Sequence, residues 1–553
     1  MSTRIALRGG MVADGIAATT RLADVLVDGP LIASIAAGGP AAPDCEVIDL
    51  PPGSVICPGF IDAHVHAEGP LLAAGRVDGA LAQGVTTLVV GQDGESWIGA
   101  TAVTARYLNQ YFAPVNGTLD PARDLSVAAY GDALSGRLSQ NVAVLASQGT
   151  IRHNVAGMTA GALGPGEQAA ARREVENALA DGAVGLSSGL DYLPSRLGST
   201  GEIAAMAMPL AAAGRPYVSH LRGYGPDVRS GLDELVAVGR ATGVRVHASH
   251  LWGAPADILA AFEAADARGV SVTYDTYPYR RSSTILAMLL LPAGLQAGGP
   301  GHTLAALTDP RQRAELLAGE KFTAEFLRHV YLGCLPGSHA ALAGQSVTAA
   351  AAATEAAVAP AAATASAAAG PAAATASAGA VSVGVPASAQ SARTPGEWVL
   401  DLLVSTRLNA GAHLDRPGLT DGQLAWLASG DRQCGGSDGI YQGQHPHPRG
   451  YGAFARLAEH YLAAGPATGY QRIARHLAAN AADVYGLRTR GRLAPGMAAD
   501  ICVIGPGGIT ARAGYDAPRE HAAGVSLVLV NGVITWRDGQ PVTTRHPGRL
   551  VST

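Results

Sequence analysis

The apolar positions of this chain follow two patterns. Near each end, short apolar segments stop at turns. Ala23-Asp24-Val25-Leu26-Val27-Asp28-Gly29 alternates in part, and Leu31-Ile32-Ala33-Ser34-Ile35 follows as its hairpin partner. At the other end, Ala499–Ile504 and Val525–Val530 read as strands. Asn531-Gly532 then turns the chain into Val533-Ile534-Thr535-Trp536, and Asn-Gly between apolar strands is a strong hairpin signal. The two β segments predict one small sheet domain built from both termini, residues 1–57 and 484–553.

Between them, over residues 58–483, apolar strands alternate with helical stretches such as Glu167–Ala180 and Gly231–Thr242. That alternation predicts parallel β/α units. The candidate strands end at His66 or span Thr86–Gly91, Val142–Ala146, Ala183–Ser187, Pro216–Ser219, Val244–Ser249, Val270–Asp275 and Cys434–Ser437. Eight strands predict an α/β fold of the (β/α)8 TIM-like barrel type. Polar residues close strands one, two, five, six and eight. In such a barrel the C-terminal strand ends form the active-site face.

One stretch breaks the pattern. Thr348–Ala392 is nearly all Ala, Ser, Thr, Gly, Val and Pro, with Glu355 its only charge. It predicts a disordered, low-complexity insertion, whose alanine could permit transient helix, that interrupts a helix–turn region and is tolerated as a loop expansion.

Composition narrows the class. The chain has 553 residues, 48% hydrophobic and 15% charged, enough for a large core. A net charge of −5 gives no electrostatic case for nucleic acid or an anionic membrane. The first residues lack an apolar core long enough for a signal peptide, and the longest apolar run, Ile285–Pro292, is too short to span a bilayer. Cys45, Cys57, Cys334, Cys434 and Cys502 are odd in number and lack a C-x-x-C spacing. They predict reduced thiols in a cytoplasmic protein rather than disulfides or a zinc knot.

The candidate chemistry sits at the strand ends. His64 and His66 are two apart, so on a strand they share a face and can share a cation. His220 and His250 each end a strand after a serine, in Val218-Ser219-His220-Leu221-Arg222 and Ala248-Ser249-His250-Leu251-Trp252. Four imidazoles around one barrel mouth predict a site for one or two divalent ions, with zinc favoured by ligand type. Asp438 lies in Gly435-Gly436-Ser437-Asp438-Gly439, where flanking glycines permit a sharp turn that exposes its carboxylate. Beside a metal, such a carboxylate can take a proton from water and pass it to a leaving nitrogen. His247 faces away from His250 by strand parity. His445 reads as a surface-loop residue.

The run Pro58-Gly59-Phe60-Ile61-Asp62-Ala63-His64-Val65-His66 resembles the first-strand motif of the amidohydrolase superfamily. Six further stretches sharpen the resemblance: 182–192, 219–222, 249–251, 275–279 with Ser283 and Thr284, 436–439 and 447–452. Together they resemble the N-acyl-D-amino-acid deacylase (D-aminoacylase) family over nearly the whole chain apart from the insertion. The resemblance implies a β-sandwich beside the barrel, with Gly491–Asp500 as the return into it. It implies that His220 and His250 hold a tightly bound metal, with His64, His66 and Asp438 around a neighbouring position. Tyr277 and Ser283 would contact the substrate carboxylate, and Tyr192 would lie near the substrate. The implied reaction is hydrolysis of an N-acyl-D-amino acid, a small-molecule substrate, to a carboxylate and a free D-amino acid.

Two positions depart from the family pattern. Where the family has a cysteine ligand after the second strand, this chain has Asp93, a hard oxygen donor, with Glu95 as the alternative. Where the family has a lysine after the sixth-strand histidine, this chain has Trp252. The substrate carboxylate would then rely on Tyr277 and Ser283 with Arg222, Arg280 or Arg281, or the substrate differs. The rival reactions are cyclic-amide or dipeptide hydrolysis, which often use a carboxylated lysine; the fourth strand, Gly185-Leu186-Ser187-Ser188, has none. A non-catalytic barrel scaffold is the rival from a different class, and retention of the histidines and Asp438 argues against it.

Overall fold

The computed structural model describes every residue except 1–3, 39–44, 124, 160, 357–392, 417, 543 and 553. Both chain ends feed one nine-stranded sheet. Its seam is the antiparallel pairing of Val55–Pro58 with Ile501–Ile504, in which Cys57 faces Cys502. Val55–Pro58 also runs parallel to the N-terminal strand Arg4–Val12, so the ends interlock within the sheet. The Asn531-Gly532 hairpin forms as the pattern predicts, with φ of 47° and 75°. A Cβ at Gly532 would lie 1.8 Å from the Gly29 carbonyl oxygen, so only glycine fits there.

The middle of the chain is mixed α/β. Phe60–Asp62, Val85–Val90 and Asn141–Val144 pair in parallel. Ala146–Ser147, Leu186–Gly189, Tyr217–His220, Val246–Ala248, Val272–Thr276 and Gln433–Gly435 form a second parallel ladder in chain order. Asn141–Val144 belongs to the first and Ala146–Ser147 to the second, and between them Leu145 N–H donates to Val90 O at 2.9 Å. At the far ends, Ala63 N–H donates to Gly435 O at 2.9 Å. Val85–Val90 is buried at every position, as expected of a strand covered on both faces. The helix Val228–Thr242 shows why its segment coils: Val228, Leu232, Leu235, Val236 and Gly239 are buried at helical spacing, and Arg229, Asp233 and Arg240 face solvent.

Two features depart from the sequence reading. The first part of the stretch read as a disordered insertion, 348–356, continues a helix that starts at Val347 of the flanking helix–turn region, and Val347, Ala350 and Ala351 are buried. Their spacing of three and four puts all three on one face, and alanine's high helix propensity does the rest; residues 357–392 of that stretch lie outside the described residues. A small antiparallel sheet, Arg281–Ile285 with Gly411–Asp415 and Val330–Leu332, has no counterpart in the predicted strands. Among the described residues, no helix is long and apolar enough to cross a membrane.

The terminal sheet is tied to the parallel strands by a buried polar knot. Asp500, 3% exposed, pairs with Arg490 and accepts from Asn531 N–H at 2.7 Å and Asn141 Nδ2 at 3.1 Å. Asp500→Ala would strand a buried guanidinium, and we expect it to lower unfolding free energy by about 3–5 kcal/mol. Urea denaturation checks this; a change below ~1 kcal/mol would show that the knot does not hold the seam.

Candidate metal centre and substrate cavity

Three residues at the strand ends sit in the left-handed backbone region: Asp93 (φ 55°), His250 (φ 36°) and Asp438 (φ 48°). That conformation is uncommon outside glycine and gathers at functional sites. Buried groups hold it. Asp62 accepts from Ser437 N–H at 2.8 Å and from its hydroxyl, and His64 O accepts from Asp438 N–H at 2.8 Å. Burial pushes the Asp62 carboxyl up to about 7. Asp275 Oδ1 accepts from His250 N–H at 2.9 Å.

The side chains converge in two adjoining groups that share Asp93. His64, His66, Asp93 and Asp438 form one, and Asp93, His220 and His250 the other, with donor atoms of each group within 4.8 Å of one another. Asp93 Oδ1 lies 3.5 Å from His64 Nε2 and 3.6 Å from His250 Nε2. Asp93 Oδ2 lies 3.6 Å from both His66 Nε2 and His220 Nδ1. Asp438 Oδ1 is 3.4 Å from His66 Nε2 and 3.7 Å from His64 Nε2. Two ligands of a tetrahedral zinc, each at ~2.0–2.1 Å, stand about 3.3 Å apart. The observed separations are slightly wider than that and too long for good hydrogen bonds. Of the atoms that converge, buried His64 Nε2 and Asp93 Oδ1 have no hydrogen-bond partner among the described residues. Converging, unsatisfied nitrogen and carboxylate donors fit one or two divalent cations.

The electrostatics agree. Burial disfavours charge on His66 and His220, yet the adjoining carboxylates outweigh it and push them up to about 10 and 9. Burial likewise acts to raise Asp93, but His64, His220, His250 and His66 hold it well below the usual carboxylate range. The two carboxylates thus favour positive charge at the centre of the cluster. The outer ring nitrogens also face carboxylates: Asp275 Oδ2 lies 3.5 Å from His64 Nδ1, and Asp191 Oδ2 lies 3.6 Å from His220 Nε2.

Asp438 has a further partner that the sequence reading gave no role. Arg449, buried, places Nη1 2.7 Å from Asp438 Oδ2. Burial acts to raise the Asp438 carboxyl, but the Arg449 guanidinium and the imidazoles bring it below its ordinary value. It is therefore ionised and held by one face.

A cavity of about 470 Å3 opens over both groups, lined among others by Tyr192, Trp252, Tyr277, Ser283 and Met288. Tyr192 Oη lies 3.1 Å from Thr284 Oγ1, and Ser283 Oγ 3.0 Å from His413 Nδ1. Arg222, expected at the substrate, also lines the cavity, where protein groups engage it. It binds Glu234 at 3.0 Å and donates to the carbonyls of Arg196 and Gly198, so its guanidinium is already committed. Arg281 is likewise drawn off, paired with Asp415 at 2.7 Å and stacked on Tyr331 and Tyr515; Arg280 is exposed. Glu95 lies outside both ligand groups, against Ser195 Oγ at 3.3 Å. His445 bonds Tyr515 O at 2.6 Å, and His447 is buried among Tyr277, Tyr279 and Tyr515. His247 bonds Thr273 at 2.8 Å and Asp275 at 3.1 Å, so it buttresses the carboxylate behind His64.

Sequence reasoning missed Asp275, Arg449 and Arg416. Asp275 ends the seventh candidate strand, so the strand-end rule applied there would have found it. Arg449 follows His447 in a Gly/Pro-rich loop, a weaker signal. Arg416 follows the strand Gly411–Asp415 of the unpredicted antiparallel sheet and carried no local signal.

A model of the amidohydrolase family matches residues 46–536. The chain belongs to the amidohydrolase family. An N-acyl-D-glutamate deacylase of Alcaligenes xylosoxydans xylosoxydans is 30% identical over 557 residues, covering 99% of this chain and 96% of the relative. A D-aminoacylase of the same organism is 30% identical over 560 residues, covering 99% and 97%. The N-acyl-D-glutamate deacylase of Bordetella bronchiseptica was crystallised with zinc and a phosphonate mimic of the tetrahedral intermediate. It superimposes with a TM-score of 0.77 at 25% identity, covering 100% of both chains. Within the family, the chain falls in the N-acyl-D-amino-acid deacylase branch.

Proposed function

We propose that this protein is a zinc-dependent hydrolase that cleaves the amide bond of N-acyl-D-amino acids. The observation that carries the reading is the pair of ligand groups sharing Asp93 beside an Arg449-held Asp438, on the floor of a cavity of small-molecule size. The relatives' names supply the D-amino-acid substrate class. We read the parallel ladders as one closed (β/α)8 barrel over residues 58–483, because the Ala63–Gly435 hydrogen bond joins the first strand to the last. Residues 1–57 and 484–553 then form the flanking β domain. We place the protein in the cytoplasm, in keeping with its five free thiols.

His220, His250 and Asp93 would hold one zinc, and His64, His66 and Asp438 the neighbouring position with Asp93 shared. Zinc bound there would polarise the acyl carbonyl and make water a stronger nucleophile. Asp438 takes the proton from the attacking water as the new C–O bond forms. It then returns that proton to the amide nitrogen as the C–N bond breaks, releasing a carboxylate and a free amine. Arg449 keeps Asp438 ionised for the first transfer and fixes which oxygen faces the substrate. Tyr277 and Tyr192 wall the cavity and exclude water.

The test is amine release from matched N-acetyl-D- and N-acetyl-L-amino acids by zinc-supplemented protein. D-selective release is expected. Release from neither set, with hydrolysis of a hydantoin or dipeptide instead, would overturn the reading.

A further inference from the structure

Four guanidiniums come near the reacting end of the cavity, and three of them are neutralised. Arg196 pairs with Asp191, Arg222 with Glu234 and Arg449 with Asp438. Arg416 is the exception among the described residues. It is 7% exposed and lines the cavity. Its Nε donates to Arg280 O at 3.0 Å and its Nη2 to Tyr279 O at 2.6 Å, both neutral acceptors. Its chain neighbour Asp415 pairs with Arg281. A buried cation without a carboxylate is costly, and a fold that keeps one beside a cavity is built to receive an anion.

The surroundings say which anion. The Arg416 guanidinium carbon lies 5.0 Å from the Trp252 ring centroid and 5.3 Å from that of Tyr277. The Arg449 guanidinium lies 4.7 Å from the same Tyr277 ring. One aromatic side chain therefore separates Arg416 from the residue that holds Asp438, and a short substrate can touch both ends. The serine expected to bind the carboxylate is otherwise engaged. His413 Nε2 faces His445 O at 3.2 Å, so that nitrogen carries the hydrogen. Burial pushes His413 down to about 3, so its ring is neutral and Nδ1 is bare. Ser283 must then donate its hydroxyl hydrogen to Nδ1, at 3.0 Å, and offers the cavity only lone pairs.

We propose that Arg416 is a substrate-binding, specificity-determining residue that receives the α-carboxylate of the N-acyl amino acid, with Trp252 and Tyr277 holding its planar fork. The assignment rests on the deacylase reading above. A flat guanidinium can take both carboxylate oxygens, and its orientation fixes where the amide lies.

The test compares N-acetyl-D-leucine with its neutral carboxamide, N-acetyl-D-leucinamide, on zinc-loaded wild type, Arg416→Met and Arg416→Lys. Wild type is expected to prefer the acid by ~100-fold in kcat/KM. Arg416→Met removes that preference, mainly through KM, and leaves the carboxamide rate and the zinc content unchanged. Arg416→Lys, which keeps the charge but not the fork, restores part of it. Arg416→Met that still prefers the acid overturns the assignment while the deacylase reading stands. Equal loss on both substrates, in both variants, also overturns it, because the residue would then only support the fold. Wild type inactive on D- and L-substrates alike overturns the deacylase reading and takes this assignment with it.

Discussion

Asp438→Asn is expected to lower kcat by ~10²–10⁴-fold, the range removed with a positioned acid–base group. The side chains are nearly isosteric, so the amide can occupy the same place at φ 48°, where asparagine is among the tolerated residues. What is lost is the capacity to take and return a proton. KM is expected to move far less than kcat, because the carboxylate contact proposed for Arg416 is untouched. Zinc held by His220, His250 and Asp93 stays, since Asp438 is outside that group. Steady-state kinetics with metal analysis checks all three. Full activity in Asp438→Asn would remove the carboxylate from the mechanism.

Asp93→Asn is expected to have the second large effect, on metal content first and on rate in consequence. Asp93 is the one residue common to both ligand groups, and its oxygens each face two imidazoles. Asparagine keeps the left-handed turn at φ 55° and removes the charge, which separates ligation from backbone geometry. The chain should then retain less than one zinc after dialysis, and kcat/KM should fall at least ~10²-fold. Asp93→Cys restores a charged ligand, now soft, and is expected to recover zinc binding at some cost from placing cysteine in that backbone region. Undiminished zinc and activity in Asp93→Asn would mean that the histidines alone hold the metal.

How much of this was legible in the sequence differs by element. Val85–Val90 and Val228–Thr242 announce themselves because burial on both strand faces, or along one helix face, leaves a local periodic trace. The Asn531-Gly532 hairpin is legible because one backbone conformation excludes nearly every other residue. The helix over 348–356 was not legible because alanine-rich composition masks its face: Ala350 and Ala351 look like their neighbours until something packs on them. The pairing of Arg222 was not legible for another reason. Nothing near it in sequence predicts that Glu234, on the next helix, takes its charge.

The sequence by itself determined the strand ends and what stands on them: His64 and His66 at a two-residue spacing, His220 and His250 in repeated Ser-His settings, and Asp438 between glycines. Those are local facts of period and turn chemistry. Only the tertiary structure decided that Asp93 is shared between two ligand groups, that Arg449 holds Asp438, and that Arg416 faces the cavity with no carboxylate partner among the described residues. Each depends on which distant segments pack together, and a charge is bound or left unpaired by neighbours that the chain brings near only when it folds.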